Sequence, residues 1–193
     1  RGQYEGYRAE DTVNPESTTE TYVEMEMRIH NFRWEGVPIF VRTGKALGCK
    51  GTRIGLRFRK LPRLLYNGDG ALDENPNRII FNIQPTTGII IDHAVKVPGT
   101  DRDITQSPLD FSLAETFGEG VAVDAYQRLL MDALEGDRTL YVGSDETELA
   151  WKVLEGVLDA GELFLYRQGR MPDSPLGIDW IDFRKYESAC EDD

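Results

Sequence analysis

Eight basic side chains stand between Glu35 and Asp69 with no carboxylate among them. They are Arg42, Lys45, Lys50, Arg53, Arg57, Arg59, Lys60 and Arg63. The whole chain is acidic, with 34 acidic residues and a formal net charge of -12 at pH 7, so this segregation indicates a local positive field. Such a field suits anion binding, and we expect a phosphorylated small molecule. A nucleic acid ranks well below it, because the acidic remainder repels polyanions and interleaved stacking aromatics are not evident.

Two lysines of this segment lie on one predicted loop. Arg42-Thr43-Gly44-Lys45 comes where a strand runs out, and Lys50 follows five residues later across a loop that contains glycine. Lysine is a point charge on a flexible stem, so a lysine pair suits a phosphate monoester. Judged by spacing alone, this pattern belongs more often to a basic loop exposed to solvent than to a phosphate-binding site.

Other polar residues give weaker signals of a site. Gln84 ends a predicted strand in Ile83-Gln84-Pro85, where its amide could hydrogen-bond a sugar hydroxyl, although strand-end polar residues more often have no ligand. Asp92 and His93 are adjacent on a predicted strand and point to opposite faces, so we predict no catalytic pair. Cys49 and Cys190 lie far apart without a CxxC motif, so neither a metal site nor a disulfide framework is predicted.

Alternating apolar and charged residues predict the strands that position these side chains. The alternation is clearest over Thr21–His30, and a second strand over Val37–Thr43 completes a hairpin. Further strands are predicted over Arg53–Arg59, Ile79–Ile83, Gly88–Val97 and Leu109–Leu113. The arginines at 53, 57 and 59 share one face of their strand.

After Gly120 the apolar residues recur at helical spacing. One helix is predicted over Val121–Leu134 with a stop at Gly136, and another from near Asp145, with Glu148 completing a capping box, to Gly161. Tyr126, Trp151 and Phe164 are assigned to the core. Strands followed by helices predict an α+β fold, with a large, mostly antiparallel sheet and helices packed on one face.

Length and composition predict one globular domain over residues 1–168 and a loosely ordered tail over residues 169–193. No apolar run approaches the roughly 18 residues that span a bilayer, and no basic-then-apolar leader is present. We therefore expect a cytoplasmic protein without a membrane partner.

The chain resembles the C-terminal domain of glucose-6-phosphate dehydrogenase over nearly its whole length. Seven ordered motifs carry the resemblance: Arg1–Tyr4 (RGQY), Ser17–Thr21 (STTET), Arg33–Pro38 (RWEGVP), Arg42–Leu47 (RTGKAL), Ile83–Pro85 (IQP), Asp124–Leu130 (DAYQRLL), and Ser144–Glu146 (SDE) followed by Ala150-Trp151. The stretch from RWEGVP to RTGK is the most specific of them.

The resemblance implies an enzyme that oxidises β-D-glucose 6-phosphate to 6-phosphogluconolactone with NADP. Lys45, Lys50 and Gln84 match the substrate contacts that the family places in this domain. The family's catalytic histidine and glycine-rich nucleotide loop belong to an N-terminal dinucleotide-binding domain that has no counterpart here. The resemblance therefore implies no catalytic residue in this chain, NADP bound mainly by the absent half, an isolated chain without activity, and a homodimer formed through the sheet domain.

Some members of the family also hold a second, structural NADP through an arginine before the Gln-Pro motif and a Tyr-x-Lys after it. Asn82, Ile90 and Asp92 stand at those positions here, and Arg42 is the retained candidate for cofactor binding. A second function class stays open at this point. The chain could be a stand-alone, non-catalytic module that binds a phosphosugar or assembles with a partner.

Overall fold

The computed structural model describes residues 1–59, 76–99, 103–118, 125–158 and 161–183. The chain divides into two compact units, one of Arg1–Cys49 with Asp132–Asp193 and the other of Lys50–Met131. The strands are β1 (Gly2–Tyr4), β2 (Tyr22–Met27), β3 (Ile39–Gly44), β4 (Thr52–Arg57), β5 (Arg78–Gln84), β6 (Gly88–Lys96), β7 (Ile104–Ser112) and β8 (Phe164–Tyr166). The helices are α1 (Leu113–Phe117), α2 (Ala125–Glu135) and α3 (Ser144–Leu158).

The first unit contains a four-stranded sheet in the order β3-β2-β1-β8. The predicted hairpin is confirmed, because β2 and β3 pair antiparallel from Tyr22 opposite Gly44 to Met27 opposite Ile39. The other two strands, β1 and β8, are parallel to each other, with Tyr4 opposite Tyr166. The sequence did not predict β1 or β8, because three residues are too few to show a period of two.

Aromatic side chains form the core of the first unit. Tyr4, Tyr22 and Tyr166 are buried together, and Phe164 packs against them. The ring centroids of Tyr22 and Phe164 lie 5.8 Å apart in an edge-to-face arrangement. The core prediction is confirmed for Phe164. It is wrong for Tyr126 and Trp151, which are 78% and 60% exposed because their sides of α2 and α3 face solvent in the described chain.

The second unit contains an antiparallel sheet in the order β4-β5-β6-β7. Its strands confirm the four predicted ones, although β7 begins at Ile104 and not at the predicted Leu109. The last strand ends at Ser112 rather than Leu113, because the Ser112 side chain accepts a hydrogen bond from the Glu115 N–H and caps α1. Lys60 and Arg63, two of the eight basic residues between Glu35 and Asp69, lie outside the described residues.

One face of the second sheet is apolar across all four strands. Two cross-strand rows form it: Ile54, Phe81, Ile89 and Phe111, and beside them Leu56, Ile79, Ile91 and Leu109. Six of these eight side chains are between 37% and 59% exposed, whereas Ile80 and Ile90 on the opposite face are buried. We call the eight residues the apolar face. Because it is open in the described chain, it is a surface that another part of a protein could cover.

The helices follow the predicted apolar spacing. Helix α2 ends before Gly136, which has φ +74°, as predicted, and its predicted beginning at Val121 lies outside the described residues. Helix α3 begins at Ser144, so Asp145 lies inside its first turn and does not cap the helix in the predicted capping box with Glu148. Leu149 and Val153 are each 59% exposed, so the packing of these helices on a sheet stays a prediction.

The α+β class is confirmed, although the strands are divided between two sheets instead of forming one large sheet. Alternation of side chains predicts each strand but does not show which strand edges join, since that depends on pairing between distant segments. In the described part of the chain, none of the helices is long and apolar enough to cross a membrane. Cys49 is disulfide-bonded, so the expectation of no disulfide is wrong. Separation along the sequence does not set which sulfur atoms meet.

The segment after β8 returns to the first sheet. Glu24 of β2 accepts hydrogen bonds from Ser174 Oγ, from Leu176 N at 3.3 Å and from Trp180 Nε1 at 3.2 Å. We call residues 174–180 the C-terminal strap. The predicted boundary at residue 168 and the loose order of the tail stay predictions, and residues 184–193 lie outside the described chain.

Candidate functional site

Lys45 follows directly on β3, at the end of the first sheet. Gly44 ends that strand beside the buried Tyr22, and a Cβ at Gly44 would lie 2.8 Å from Tyr22 Cδ2. Glycine is therefore required at this position for the strand to pack against the ring. The Lys45 N–H donates to Thr21 O at 2.8 Å, while the Lys45 side chain is exposed. Strand pairing thus fixes the main chain of Lys45 and leaves its ammonium group accessible.

The residues after Lys45 are held from the side of β8. Lys45 O accepts a hydrogen bond from Tyr166 Oη at 2.8 Å, and Ala46 O accepts one from Gly169 N at 2.9 Å. Leu47 packs against the aromatic core. We call residues 45–48 the Lys45 loop. Its backbone is tied at several points, which is the arrangement that a binding side chain on a loop requires.

Lys50 and Gln84 lie at the same end of the second sheet. Gln84 is the last residue of β5 and pairs with Thr52, which is two residues after Lys50. Both side chains are exposed, and the peptide bond between Gln84 and Pro85 is cis. The structure therefore brings two of the three predicted substrate contacts to one sheet end. Lys45 belongs to the other unit, and the meeting of all three side chains stays a prediction.

Arg53 and Arg57 of β4 share one face, as their spacing predicted, whereas Arg59 lies beyond the end of the strand. Arg53 pairs with Asn82 and Arg57 pairs with Arg78, so the two arginines alternate with the apolar residues of the strand. Burial lowers the pKa of Arg53. The positive charge of this segment is therefore divided between a loop and a sheet face.

Arg42 is engaged within the first sheet. It lies opposite Glu24 in the pairing of β2 and β3, and its guanidinium stacks over the Trp180 ring at 4.3 Å from the centroid. Burial lowers the pKa of Arg42, while Tyr22, Glu24 and Asp182 act in the opposite direction. Its role in cofactor binding stays a prediction.

The residues at the positions of a structural NADP site do not fit that cofactor. Asn82, Ile90 and Asp92 are 8%, 3% and 5% exposed. The Asp92 carboxylate faces Arg78 at 3.9 Å, with both side chains nearly buried. A buried carboxylate at the position where the resemblance implies a lysine repels a phosphate group, which disfavours a second nucleotide at these three residues. The neighbouring His93 has its Nδ1 3.4 Å from Ile91 O.

Sequence reasoning missed the residues that hold the Lys45 loop. Tyr166 lies on a strand of three residues, and Gly169 lies in a segment predicted to be loosely ordered. Neither has a sequence pattern that points to a site. Thr21 belongs to the motif Ser17–Thr21, but the family resemblance assigned no role to its side chain.

Comparison with known proteins relates the chain to one family. The family model described as "Glucose-6-phosphate dehydrogenase, C-terminal domain" matches residues 1–175 of the chain. The Arabidopsis thaliana protein named glucose-6-phosphate 1-dehydrogenase 6, cytoplasmic, is 37% identical over 166 residues, which are 84% of this chain and 32% of that protein.

Two solved structures have the same fold. The crystal structure of glucose-6-phosphate 1-dehydrogenase from Mycobacterium avium matches with a TM-score of 0.73 and 35% identity, over 88% of this chain and 36% of the other. A glucose-6-phosphate dehydrogenase in complex with its substrate glucose-6-phosphate matches with a TM-score of 0.81 and 28% identity, over 91% of this chain and 38% of the other. The chain thus spans about a third of the length of the relatives that it matches.

Proposed function

The chain belongs to the glucose-6-phosphate dehydrogenase C-terminal domain family, and from this premise we propose that it is the substrate-binding part of an NADP-dependent dehydrogenase. The enzyme oxidises β-D-glucose 6-phosphate to 6-phosphogluconolactone. The observation that carries the proposal is the Lys45 loop, whose backbone is tied to Thr21 and Tyr166 while the lysine side chain is exposed. A solved relative in complex with glucose-6-phosphate supports the choice of substrate.

We propose that Lys45 and Lys50 neutralise the phosphate group and that Gln84 hydrogen-bonds a sugar hydroxyl. A phosphate monoester carries close to two negative charges at neutral pH, and two lysine ammonium groups can approach it from different directions. All three side chains are exposed, so each is accessible to a ligand. The two exposed groups at the end of the second sheet, Lys50 and Gln84, supply one charge and one neutral amide.

The chemical step and most of the NADP site belong, in this proposal, to an N-terminal dinucleotide-binding domain. That domain supplies the histidine that abstracts the proton, so the isolated chain oxidises no sugar. The relatives are about three times as long as this chain, which leaves room for such a domain.

We further propose a cytoplasmic homodimer that assembles through the sheet domain. The name of the Arabidopsis relative, which includes the word cytoplasmic, supports the location. The family resemblance supports the dimer. No nucleic acid or membrane takes part in the proposed function.

Substitution of Lys45 tests the proposal in the full-length protein that carries this chain. Lys45→Ala removes a charged hydrogen bond to the phosphate, worth about 2 kcal/mol, so KM for glucose 6-phosphate rises about 30-fold. The value of kcat and the KM for NADP stay within about twofold, because the interaction is made equally in the ground state and the transition state. Steady-state kinetics with each substrate varied measures both.

Lys152→Ala is the matched control. Lys152 is an exposed lysine on α3, so its loss changes the net charge equally and leaves KM unchanged. An unchanged KM in Lys45→Ala would contradict the proposed role of this lysine. Absence of NADP-dependent oxidation in the unmodified full-length protein would contradict the proposed function as a whole.

A further inference from the structure

The hydroxyl group of Tyr166 meets three oxygen atoms inside the first unit. Tyr166 is 5% exposed, and its Oη lies 2.8 Å from Lys45 O, 2.9 Å from Thr21 Oγ1 and 3.1 Å from Thr21 O. A phenol has one proton to donate, so these three contacts cannot all be donations from Tyr166. The neighbouring hydrogen bonds decide where the proton goes.

The proton of Tyr166 is directed to the carbonyl of Lys45. Thr21 Oγ1 accepts the Tyr4 N–H at 3.0 Å, which leaves the threonine proton free to be donated to Tyr166 Oη. Thr21 O already accepts the Lys45 N–H at 2.8 Å. The bond from Tyr166 Oη to Lys45 O is the shortest of the three, and it completes a continuous chain of donors and acceptors. Such chains strengthen each member by polarisation.

The Lys45 loop has a conformation that the chain would not favour without these hydrogen bonds. Ala46 has φ +49°, a left-handed conformation that is unfavourable for a residue with a Cβ. Gly48 approaches the chain after β8 so closely that a Cβ there would lie 2.8 Å from Gly169 O. A strained backbone persists only where neighbouring groups hold it in place. Here Tyr166 and Gly169 do so through their hydrogen bonds to Lys45 O and Ala46 O.

We propose that Tyr166 is a positioning residue for substrate binding. Its hydroxyl holds the carbonyl of Lys45 and so keeps the loop in the conformation from which the ammonium group reaches the phosphate. The inference rests on the proposed function of Lys45. Without the hydroxyl, the loop populates other conformations, and the apparent affinity falls with the fraction of molecules that remain competent.

Tyr166→Phe in the full-length protein tests the inference. The substitution keeps the ring and removes the donor to Lys45 O, so KM for glucose 6-phosphate rises about fivefold, the factor for one ordinary hydrogen bond. The value of kcat and the KM for NADP stay within about twofold. Tyr4→Phe is the matched control, because it removes a hydroxyl from the same aromatic core that donates to Glu10 and not to the loop. It leaves KM unchanged.

A double substitution separates positioning from a general effect on the fold. In a Lys45→Ala background, Tyr166→Phe has no further effect on KM, because the residue through which it acts is gone. A merely structural role would raise KM by the same factor in both backgrounds, and that result would overturn the inference.

The possible failures are distinguishable. If Lys45→Ala raises KM and Tyr166→Phe does not, the inference is overturned and the proposed function stands. If Lys45→Ala leaves KM unchanged, the proposed role of the lysine fails first. Loss of folded protein in Tyr166→Phe, with Tyr4→Phe folded, would overturn a local positioning role, since the hydroxyl would then be needed by the whole unit.

Discussion

Two tyrosine hydroxyls of the first unit are bonded to carboxylates. Tyr4 donates to Glu10, and Tyr22 donates to Glu24 at 2.9 Å. The hydrogen bond to Glu10 raises the pKa of Tyr4 to about 12. Burial, followed by the hydrogen bond to Glu24, raises the pKa of Tyr22. In both cases the folded protein holds the phenol proton more tightly than the unfolded chain, where tyrosine has a pKa of about 10.

Stability is therefore expected to fall in alkaline solution. The contribution of both tyrosines is fully present below pH ~10 and is lost as the pH rises towards the folded-state values, because only the unfolded chain releases the protons in that range. We expect the free energy of unfolding to decrease between about pH 10 and about pH 12, and the decrease to become smaller in the Tyr4→Phe/Tyr22→Phe double variant. Urea unfolding at a series of pH values measures both slopes.

Measurements between pH 7 and pH 9 supply the control for this prediction. Neither tyrosine ionises there in either state, so the difference in stability between the double variant and the unmodified protein stays constant. Equal slopes for the two proteins above pH 10 would show that other groups cause the alkaline dependence.

One carboxylate of β2 accepts three hydrogen bonds from the C-terminal strap. Each oxygen of Glu24 accepts two hydrogen bonds: Oε1 from Ser174 Oγ and Leu176 N, and Oε2 from Tyr22 Oη and Trp180 Nε1. The Trp180 ring in turn lies under the Arg42 guanidinium and edge-on to Phe40. A short segment is thus attached to a sheet by a few hydrogen bonds to a charged acceptor, which are stronger than hydrogen bonds between neutral groups.

Glu24→Gln is expected to release the strap. The amide group of glutamine replaces one accepting oxygen by a donor, so two of the four donors lose their partner and the free energy of unfolding falls by about 2 kcal/mol. Urea unfolding measures the loss. Limited proteolysis, with the cleavage sites identified by mass spectrometry, should show faster cutting within residues 174–180.

Glu26→Gln is the control on the same strand. The Glu26 side chain is 39% exposed and pairs with Arg28 at the surface, so its substitution changes stability by less than about 0.5 kcal/mol. If both variants resist the protease as well as the unmodified protein, the strap is held by contacts other than the carboxylate of Glu24.

At the scale of the whole molecule, the chain has more apolar surface than its described residues cover. The apolar face extends over four strands, and leucines of α2 such as Leu130 and Leu134 are 66% and 86% exposed. Large exposed apolar patches mark surfaces of interaction. This agrees with a chain that spans about a third of the length of its relatives.

The isolated chain is expected to form dimers without turning over substrate. The proposed dimer uses the sheet domain, which is present here, whereas the proposed catalytic and nucleotide groups are in the N-terminal domain. Sedimentation velocity at micromolar concentration should give the mass of two chains, and an NADPH absorbance assay with glucose 6-phosphate and NADP should give no rate. The full-length protein is the positive control for the assay.

Either of two results would contradict this expectation. A monomer in sedimentation, with circular dichroism showing a folded chain, would mean that the sheet domain alone does not carry the dimer contact. A measurable rate of NADP reduction would mean that the catalytic groups lie in this chain.

The sequence by itself determined the strands β2 to β7, the main helices and the family. Alternation of side chains along β2 to β7 places apolar residues on one face of a strand, and it is a local property that can be read from neighbouring residues. Lys45, Lys50 and Gln84 were predicted as site residues because their positions relative to the sequence motifs match the substrate contacts of the family. The sequence also showed that Gly44 ends β3. It did not show why a glycine is needed there, which is the close approach of the Tyr22 ring.

Only the tertiary structure decided which distant residues hold these elements. Tyr166 contacts Lys45 across 121 positions of the sequence, and Trp180 contacts Glu24 across 156. The parallel pair of β1 and β8 likewise joins the two ends of the first unit. A hydrogen bond between remote segments leaves no period in the sequence, because it depends on how the intervening chain folds back. The contacts that position the Lys45 loop were therefore visible only in the folded molecule.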